Sequence, residues 1–271
     1  LLGSAAQSGP VNQSLHSCLR VGAFENPALM GFQGGVDEVK IWNRALSQEE
    51  IAALSQPVAT KNGLQLYFPF GEGSGSTTVD LTPSRFTGVL SGNADWADGK
   101  FGTAIQFTNG PATGLALATP VSLSGLSNFT ISCWVKPNLS HQGMLLAKHN
   151  FGTDGEWFLR MDTMSRLTFT TVNADLQRVD QSVTTSTNLA DGQWHLVLAA
   201  YNGATMQVYL DGSLLGSANQ TGVLNRSAGS RLRVGAFENP DLMRFQGAID
   251  EVKVWDRALG QDEIDALWKI E

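Results

Sequence analysis

One short stretch of the chain groups aromatic rings with amide and carboxylate side chains, the combination that sugar-binding sites use. The stretch KHNFGTDGEWF at 148–158 contains Asn150, Phe151, Asp154 and Trp157. An exposed ring can stack on the apolar face of a sugar while neighbouring amides and carboxylates bind its hydroxyl groups. We therefore interpret these four residues as a candidate sugar site. Trp157 has an alternative assignment, as the first core residue of the strand that follows.

Two aspartates stand where a carboxylate needs a partner. In AIDEVKVW, strand alternation places Asp250 on the same face as Val252 and Val254, which is the apolar face. Asp37 stands in the same pattern earlier in the chain. Because an unpaired buried carboxylate is very costly, each aspartate must accept hydrogen bonds, reach solvent at a rim or bind a cation.

Composition excludes several classes of partner. The formal net charge of -7 and the absence of a Lys/Arg cluster argue against nucleic acid and anionic membranes. No apolar run approaches the ~20 residues that a membrane-spanning helix needs. Cys133 lies in the strand-like FTISCWVK and is expected to be a buried, unreactive thiol. Cys18 has no counterpart in the repeat described below, so no shared disulfide is indicated.

Period-two alternation dominates the chain after residue 63. In LQLYFPF, the apolar Leu64, Leu66, Phe68 and Phe70 alternate with other residues, and TMQVYLDG at 205–212 follows the same pattern. Turn sequences such as YNGAT and DGSL separate these runs. The pattern predicts an all-β sandwich of two antiparallel sheets.

The sequence predicts one helix near the end of the chain. Glu263 stands three residues after Gly260, where its side chain can cap the first turn, and Leu259 and Ile264 are spaced as a hydrophobic staple. The same spacing occurs at 46–51, where Ser47 takes the capping position. We therefore expect a short helix to follow the last strand.

The chain contains a long internal repeat. With residue 1 aligned to residue 214, the first ~56 residues match the last ~56 without a gap, and roughly two residues in three are identical. The repeat predicts three segments: the C-terminal part of a first module at 1–56, a linker at 57–62 and a complete module at 63–271. A fragment of this size buries too little surface to fold alone. We expect residues 1–56 to pack on the complete module, complement another chain or remain from a processed array.

The complete module resembles a known family, the laminin-G-like, concanavalin A-like jelly-roll modules of extracellular proteins. The resemblance is carried by LYFPFGEGSGSTTVD, ADWADGKFGTAIQF, FTISCWVKP, DGQWHLVLAAYNGATMQVYLDGSLLG and FQGAIDEVKVWDRALGQDEI, in this order. It implies a jelly-roll β-sandwich with a short C-terminal helix, in which Trp134 and Trp194 belong to the framework. It also implies an extracellular or cell-surface location.

The resemblance implies a structural Ca²⁺ where the first and last strands meet. Its ligands would include Asp250, and Asp37 in the first copy, with Glu72 and Asp80 as further hard oxygen donors. The alternative is a rim aspartate that caps a turn. A second, ligand-side calcium is not indicated, because FTNGPATG at 107–114 lacks the carboxylates that such family members carry.

No catalytic motif is found. Glucanases of this architecture carry Glu-x-Asp-x-x-Glu on a strand, whereas the nearest match here, EIDALW at 263–268, lacks the second glutamate and belongs to the predicted helix. His195 follows Trp194 in a strand, where a lone histidine is more often a packed or rim residue than a catalyst.

We therefore expect a non-catalytic module for adhesion or carbohydrate recognition. It would be stabilised by calcium, and its partner would be a glycan or a cell-surface or matrix protein. The alternative is a fibre or oligomer subunit that self-associates through residues 1–56, because strands without partners recruit other chains.

Overall fold

The computed structural model describes residues 61–118, 123, 125–138, 142–150, 154–174, 178–182, 189–220, 223–227, 229–237 and 242–269. The half-module at 1–56, residues 57–60 of the linker predicted at 57–62, Asp37 and Phe151 lie outside these ranges. The predictions that concern them therefore stay predictions. No helix within the described ranges is long and apolar enough to cross a membrane.

Sixteen strands and one helix are described. They are β1 (Leu64–Phe68), β2 (Thr77–Val79), β3 (Thr87–Ser91), β4 (Ala94–Asp98), β5 (Thr103–Phe107), β6 (Gly114–Leu117), β7 (Phe129–Pro137), β8 (Gly143–Asn150), β9 (Asp154–Met161), β10 (Leu167–Val172), β11 (Arg178–Ser182), β12 (His195–Tyr201), β13 (Thr205–Leu210), β14 (Ser213–Asn219), β15 (Leu232–Val234), β16 (Gly247–Trp255) and α1 (Gln261–Trp268).

The strands form two eight-stranded antiparallel sheets, as predicted. The first sheet has the order β14-β13-β12-β7-β16-β5-β4, and β1 also pairs with β16. The second has the order β11-β10-β9-β8-β15-β6-β3-β2. Several neighbouring strands, such as β7 and β16 or β8 and β15, are far apart in sequence, as in a jelly roll. The strand β16 lies inside the first sheet between β5 and β7.

The core lies between the sheets and follows the predicted alternation. Phe129, Ile131, Cys133 and Val135 on β7 are all fully buried in it. The burial of Cys133 confirms that part of the prediction, and it raises the pKa of the thiol, which disfavours the reactive thiolate.

A second apolar layer covers the outer face of the first sheet. Helix α1 packs there through Ile264 and Leu267, against outward-facing residues that include Trp134 and Trp255. Leu259 joins this cluster, and the Glu263 carboxylate accepts a hydrogen bond from the Gly260 backbone N–H at 3.0 Å. The central strands β12, β7 and β16 are therefore buried on both faces, and the helix begins where the sequence predicted.

Two β-bulges place residues on faces of the sheet other than those that the alternation predicted. The β1–β16 register shifts between Leu64 and Leu66, so Leu64 packs with the outer cluster while Leu66 lies in the core. In β16 the register shifts between Asp250 and Lys253, and Glu251 adopts a φ of 53°. Because a bulge inserts an extra residue, alternation fails at that point. The alternation had predicted that Asp250 shares a face with Val252 and Val254. In the structure Asp250 pairs with the outward-facing Trp134, whereas the two valines lie on the inner face.

Candidate binding site

Asp80 is a structural anchor between β1 and the turn after β2. Its side chain is fully buried, and Oδ1 accepts hydrogen bonds from the Tyr67 N–H at 2.8 Å and the Thr82 N–H at 2.9 Å. Oδ2 accepts a third, from the Thr82 hydroxyl at 2.6 Å. These three donors satisfy the carboxylate without a metal.

Glu72 is engaged in a similar way on the surface. It accepts hydrogen bonds from the Thr78 hydroxyl at 3.0 Å and from the Val79 N–H at 2.8 Å. The glutamate therefore ties the turn after β1 to β2.

Asp250 anchors the turn between β4 and β5. Its Oδ2 accepts from the Phe101 N–H at 3.0 Å, and its Oδ1 accepts from the Glu251 N–H at 2.8 Å. Burial, and to a lesser extent the neighbouring Glu251 charge, raises its pKa well above the usual value for aspartate. Gly99 permits this contact, since a Cβ there would lie 2.7 Å from Oδ2. Asp250 therefore holds this turn from a fully buried position, whereas the alternative to metal binding had placed it at a rim.

Of the predicted calcium ligands, Glu72, Asp80 and Asp250 lie in the described ranges and do not form one metal-binding group there. In the described ranges no group of three or more His, Cys, Asp or Glu side chains could hold a metal ion. Calcium therefore stays a prediction.

Trp157, one of the two rings of the predicted sugar site, is buried. Trp157 is 1% exposed and packs 5.7 Å from the Phe129 ring, so it takes the core position that was its alternative assignment. Asn150 and Asp154 pair with each other where β8 meets β9. Trp157 therefore does not supply an exposed ring, and because Phe151 lies outside the described residues, the sugar site at 150–157 stays a prediction.

A different surface combines an indole with hydrogen-bonding groups. We call it the helix cleft: a depression of about 500 Å³ between α1 and the β13–β14 turn. It is lined by Asp211, Gly212, Ser213, Leu214, Gln261, Asp265, Trp268 and Lys269. Sequence reasoning missed this site, although EIDALW and the Asp-Gly turn that form its two walls were both noticed.

The turn side of the cleft follows from its two-residue loop. Asp211 and Gly212 join β13 to β14 with φ values of 51° and 79°, which an Asp-Gly pair adopts in tight hairpins. A Cβ on Gly212 would lie 3.3 Å from the Trp268 ring. The glycine therefore lets the turn approach the indole closely.

The helix side of the cleft presents a supported indole. Trp268 is half-buried and stacks on Trp134, with ring centroids 5.3 Å apart and an interplanar angle of 25°. The Lys100 ammonium lies 4.5 Å from the Trp134 centroid, a cation–π distance. These contacts hold the Trp268 ring in position before any ligand arrives.

Polar groups surround the indole. Gln261 Nε2 donates to the Gly212 carbonyl at 2.8 Å and to Asp265 Oδ1 at 2.6 Å. Lys269 Nζ donates to Asp265 Oδ2 at 3.1 Å. The hydrogen bond from Gln261, and then that from Lys269, lowers the pKa of Asp265. The Asp265 carboxylate is therefore ionised at neutral pH and has lone pairs left to accept further hydrogen bonds.

A histidine holds the turn side of the cleft. His195 Nδ1 lies 2.8 Å from Asp211 Oδ2, and Nε2 lies 3.1 Å from Asp191 Oδ1. Ionised carboxylates only accept hydrogen bonds, so both ring nitrogens donate when the imidazole is protonated. The Asp211 hydrogen bond, opposed by burial and aided by Asp191, raises the pKa of His195. Asp211 also accepts from the Leu196 N–H at 2.9 Å.

We expect this network to make stability depend on pH. Because the folded pKa of His195 is raised, its contribution is fully present below the unfolded value of about 6.5 and is lost as pH rises through the folded pKa. His195→Gln should reduce the decline in melting temperature between about pH 6 and about pH 8 relative to wild type. His149 stays in both proteins, so it cancels in the comparison. Parallel pH profiles for the two proteins would contradict the assignment.

The fold and this cleft define a jelly-roll β-sandwich module with a surface suited to ligand binding. Residues 109–265 match the laminin G model described as the concanavalin A-like lectin/glucanases superfamily, and the chain belongs to this family. The resemblance noted in the sequence is thereby confirmed.

Known relatives that match the chain include binding and adhesion proteins. It is 27% identical over 150 residues to the adhesion G-protein coupled receptor V1 of Danio rerio, covering 52% of this chain and 2% of that receptor. The binding domain of Paraclostridial mosquitocidal protein 1 superposes with a TM-score of 0.64 at 16% identity, covering 77% of this chain and 52% of that one. Domain 4 of AbnA, an extracellular arabinanase from Geobacillus stearothermophilus solved with arabinotriose, gives 0.58 at 20% identity, covering 76% and 98%. At these identities the structural matches show a shared fold.

Proposed function

We propose that the chain is a non-catalytic extracellular module that recognises neutral glycans through the helix cleft. The observation that carries the proposal is the half-buried Trp268 indole lying among hydrogen-bonding groups. An indole stacks on the apolar face of a sugar ring, and the carboxylates of Asp211 and Asp265 can accept from sugar hydroxyls. The Gln261 carbonyl oxygen adds a further acceptor.

Charge and relatives support the same ligand class. A net charge of -7 disfavours polyanionic ligands, whereas neutral sugars carry no such penalty. The arabinanase domain, which matches over 98% of its length, was solved with a neutral oligosaccharide. The adhesion receptor that matches in sequence supports an extracellular setting.

Trp268→Ala should weaken glycan binding at least about tenfold, because a central aromatic contact contributes a large share of binding energy. Candidate glycans would come from an array, and affinities would then be measured by calorimetry. Trp268→Phe keeps a stacking ring and should retain most of the affinity.

Trp96→Ala is the matched control. Trp96 is also a half-buried tryptophan, but it lies on β4, at the opposite edge of the first sheet from β14. It should leave glycan affinity unchanged. A silent array for wild type, or equal losses for Trp96→Ala and Trp268→Ala, would contradict the proposal.

We also propose that a bound calcium ion stabilises the module. The calorimetry is repeated, with thermal melts, in calcium and in chelator. A lower melting temperature in chelator would support a structural ion, and an identical one would count against it.

A further inference from the structure

A second depression lies at the other end of β12. We call it the arginine cleft, with a volume of about 290 Å³. It is lined by Gly125, Leu126, Ser127, Tyr201, Gly203, Val223, Leu224 and Arg226. Since β12 begins at His195 beside the helix cleft and ends at Tyr201, the strand separates the two sites by roughly 20 Å along its length.

A buried ion pair fixes both walls of the arginine cleft. Lys148 and Glu156 lie 3.1 Å apart with side-chain exposures of 0% and 4%. Glu156 accepts from the Gly125 N–H at 3.2 Å on one wall and from the Ser227 N–H at 2.8 Å on the other. Lys148 Nζ also donates to the Ser227 carbonyl at 2.9 Å. The buried ion pair therefore fixes the positions of both walls of the cleft.

The cleft has an apolar side. Leu126 and Leu224 are half-buried and pack against the core, and the neighbouring Val223 is 72% exposed. Such a surface matches the apolar part of a small ligand.

Two hydrogen-bond donors in the cleft have no partner in the described part of the chain. Tyr201 is only 3% exposed, and its ring packs 5.9 Å from Phe129, yet its hydroxyl makes no hydrogen bond there. The Arg226 guanidinium makes no ion pair or hydrogen bond there either, although its stem lies along the Gly125 turn. A phenol and a guanidinium fork together suit a carboxylate.

We propose that the arginine cleft binds the carboxylate of an acidic sugar residue. This inference rests on the proposed glycan function and adds a second site of different chemistry. One guanidinium matches one carboxylate, and the apolar wall matches the hydrophobic face of a single sugar ring. A peptide C-terminus fits less well, because the Gly125 and Ser227 amides point inward to Glu156 and leave those backbone donors unavailable to an extended chain.

The test compares sugars that differ only in the carboxylate. Methyl β-glucuronide and its neutral twin, methyl β-glucoside, are titrated into the full chain and followed by NMR. The acidic sugar should bind at least about tenfold more tightly, which corresponds to a charge-assisted hydrogen bond. The methyl glycoside of N-acetylneuraminic acid and its methyl ester form a second pair with the same expected order.

Two variants locate the effect. Arg226→Gln should abolish the advantage of the acidic sugar, whereas Arg231→Gln, which removes the same charge from an exposed position, should keep it. Tyr201→Phe removes only the hydroxyl and should lower affinity severalfold while the fold stays intact.

The outcomes separate this inference from the proposed function. Equal affinity for both twins, no binding of either acidic sugar, or full affinity in Arg226→Gln would overturn it. Tighter binding of the peptide acetyl-Val-Leu at the same site would overturn the assignment to a sugar. Neutral glycan binding that depends on Trp268 would survive each of these results, whereas a loss of neutral binding alone would overturn only the proposed function.

Discussion

Glu156→Leu is expected to lower the free energy of unfolding by about 3–5 kcal/mol, the cost of leaving a buried charge without its partner. Lys148 is fully buried, and its contacts include Glu156 and the oxygens of Ser227 and Ser230. The substitution also leaves the Gly125 and Ser227 amides without their acceptor. Urea unfolding monitored by tryptophan fluorescence measures the loss.

The double variant Lys148→Met/Glu156→Leu is the internal control. It removes both charges, so much of the stability should return, although the two amides remain without Glu156. Additive losses in the double variant, or a cost for Glu156→Leu below about 1 kcal/mol, would contradict the interpretation.

Trp157→Ala is expected to lower the free energy of unfolding by about 3–5 kcal/mol without changing glycan affinity in the folded protein. The side chain is among the largest that are fully buried, and it packs against Phe129 in the main core. Removing it leaves a cavity that the surrounding sheets can close only in part. Calorimetry well below the melting temperature separates stability from binding.

Trp157→Phe provides the graded comparison. The indole Nε1 is buried without a partner among the described residues, so its loss removes an unsatisfied donor and offsets part of the lost volume. The phenylalanine variant should therefore be clearly more stable than the alanine variant. If both variants remain folded but lose glycan binding, Trp157 takes part in the sugar site and the prediction is wrong.

Much of the fold could be predicted from the sequence because alternation and turn chemistry are local signals. The burial of Cys133 on β7 and the tight Asp211–Gly212 turn were both predicted correctly. The predicted faces failed where a bulge intervened, at Leu64 and Asp250, since an inserted residue leaves no mark in the alternation. Bulge positions depend on how strands pair across the sheet.

The candidate sites were harder to predict because each is assembled from distant segments. Trp268 becomes a binding candidate only when the helix meets the β13–β14 turn, and Arg226 only when its loop meets Gly125 and Tyr201. Trp157, in contrast, stood among polar residues in the sequence, but its strand turns the indole into the core. Nearness in sequence therefore did not show which side chains lie together on the surface of the folded module.

The central place of β16 has a consequence for how the protein is made. During synthesis, β5 and β7 emerge from the ribosome well before the strand that must lie between them. Until residues 247–268 follow, the first sheet lacks its middle strand, and the outward-facing Trp134 lacks the helix that covers it. Pairing over such long separations is slow and exposes aggregation-prone surface. The nascent module therefore needs β16 and α1 to complete and cover its first sheet. Chaperones that shield apolar surface should bind the module most strongly just before β16 and α1 emerge.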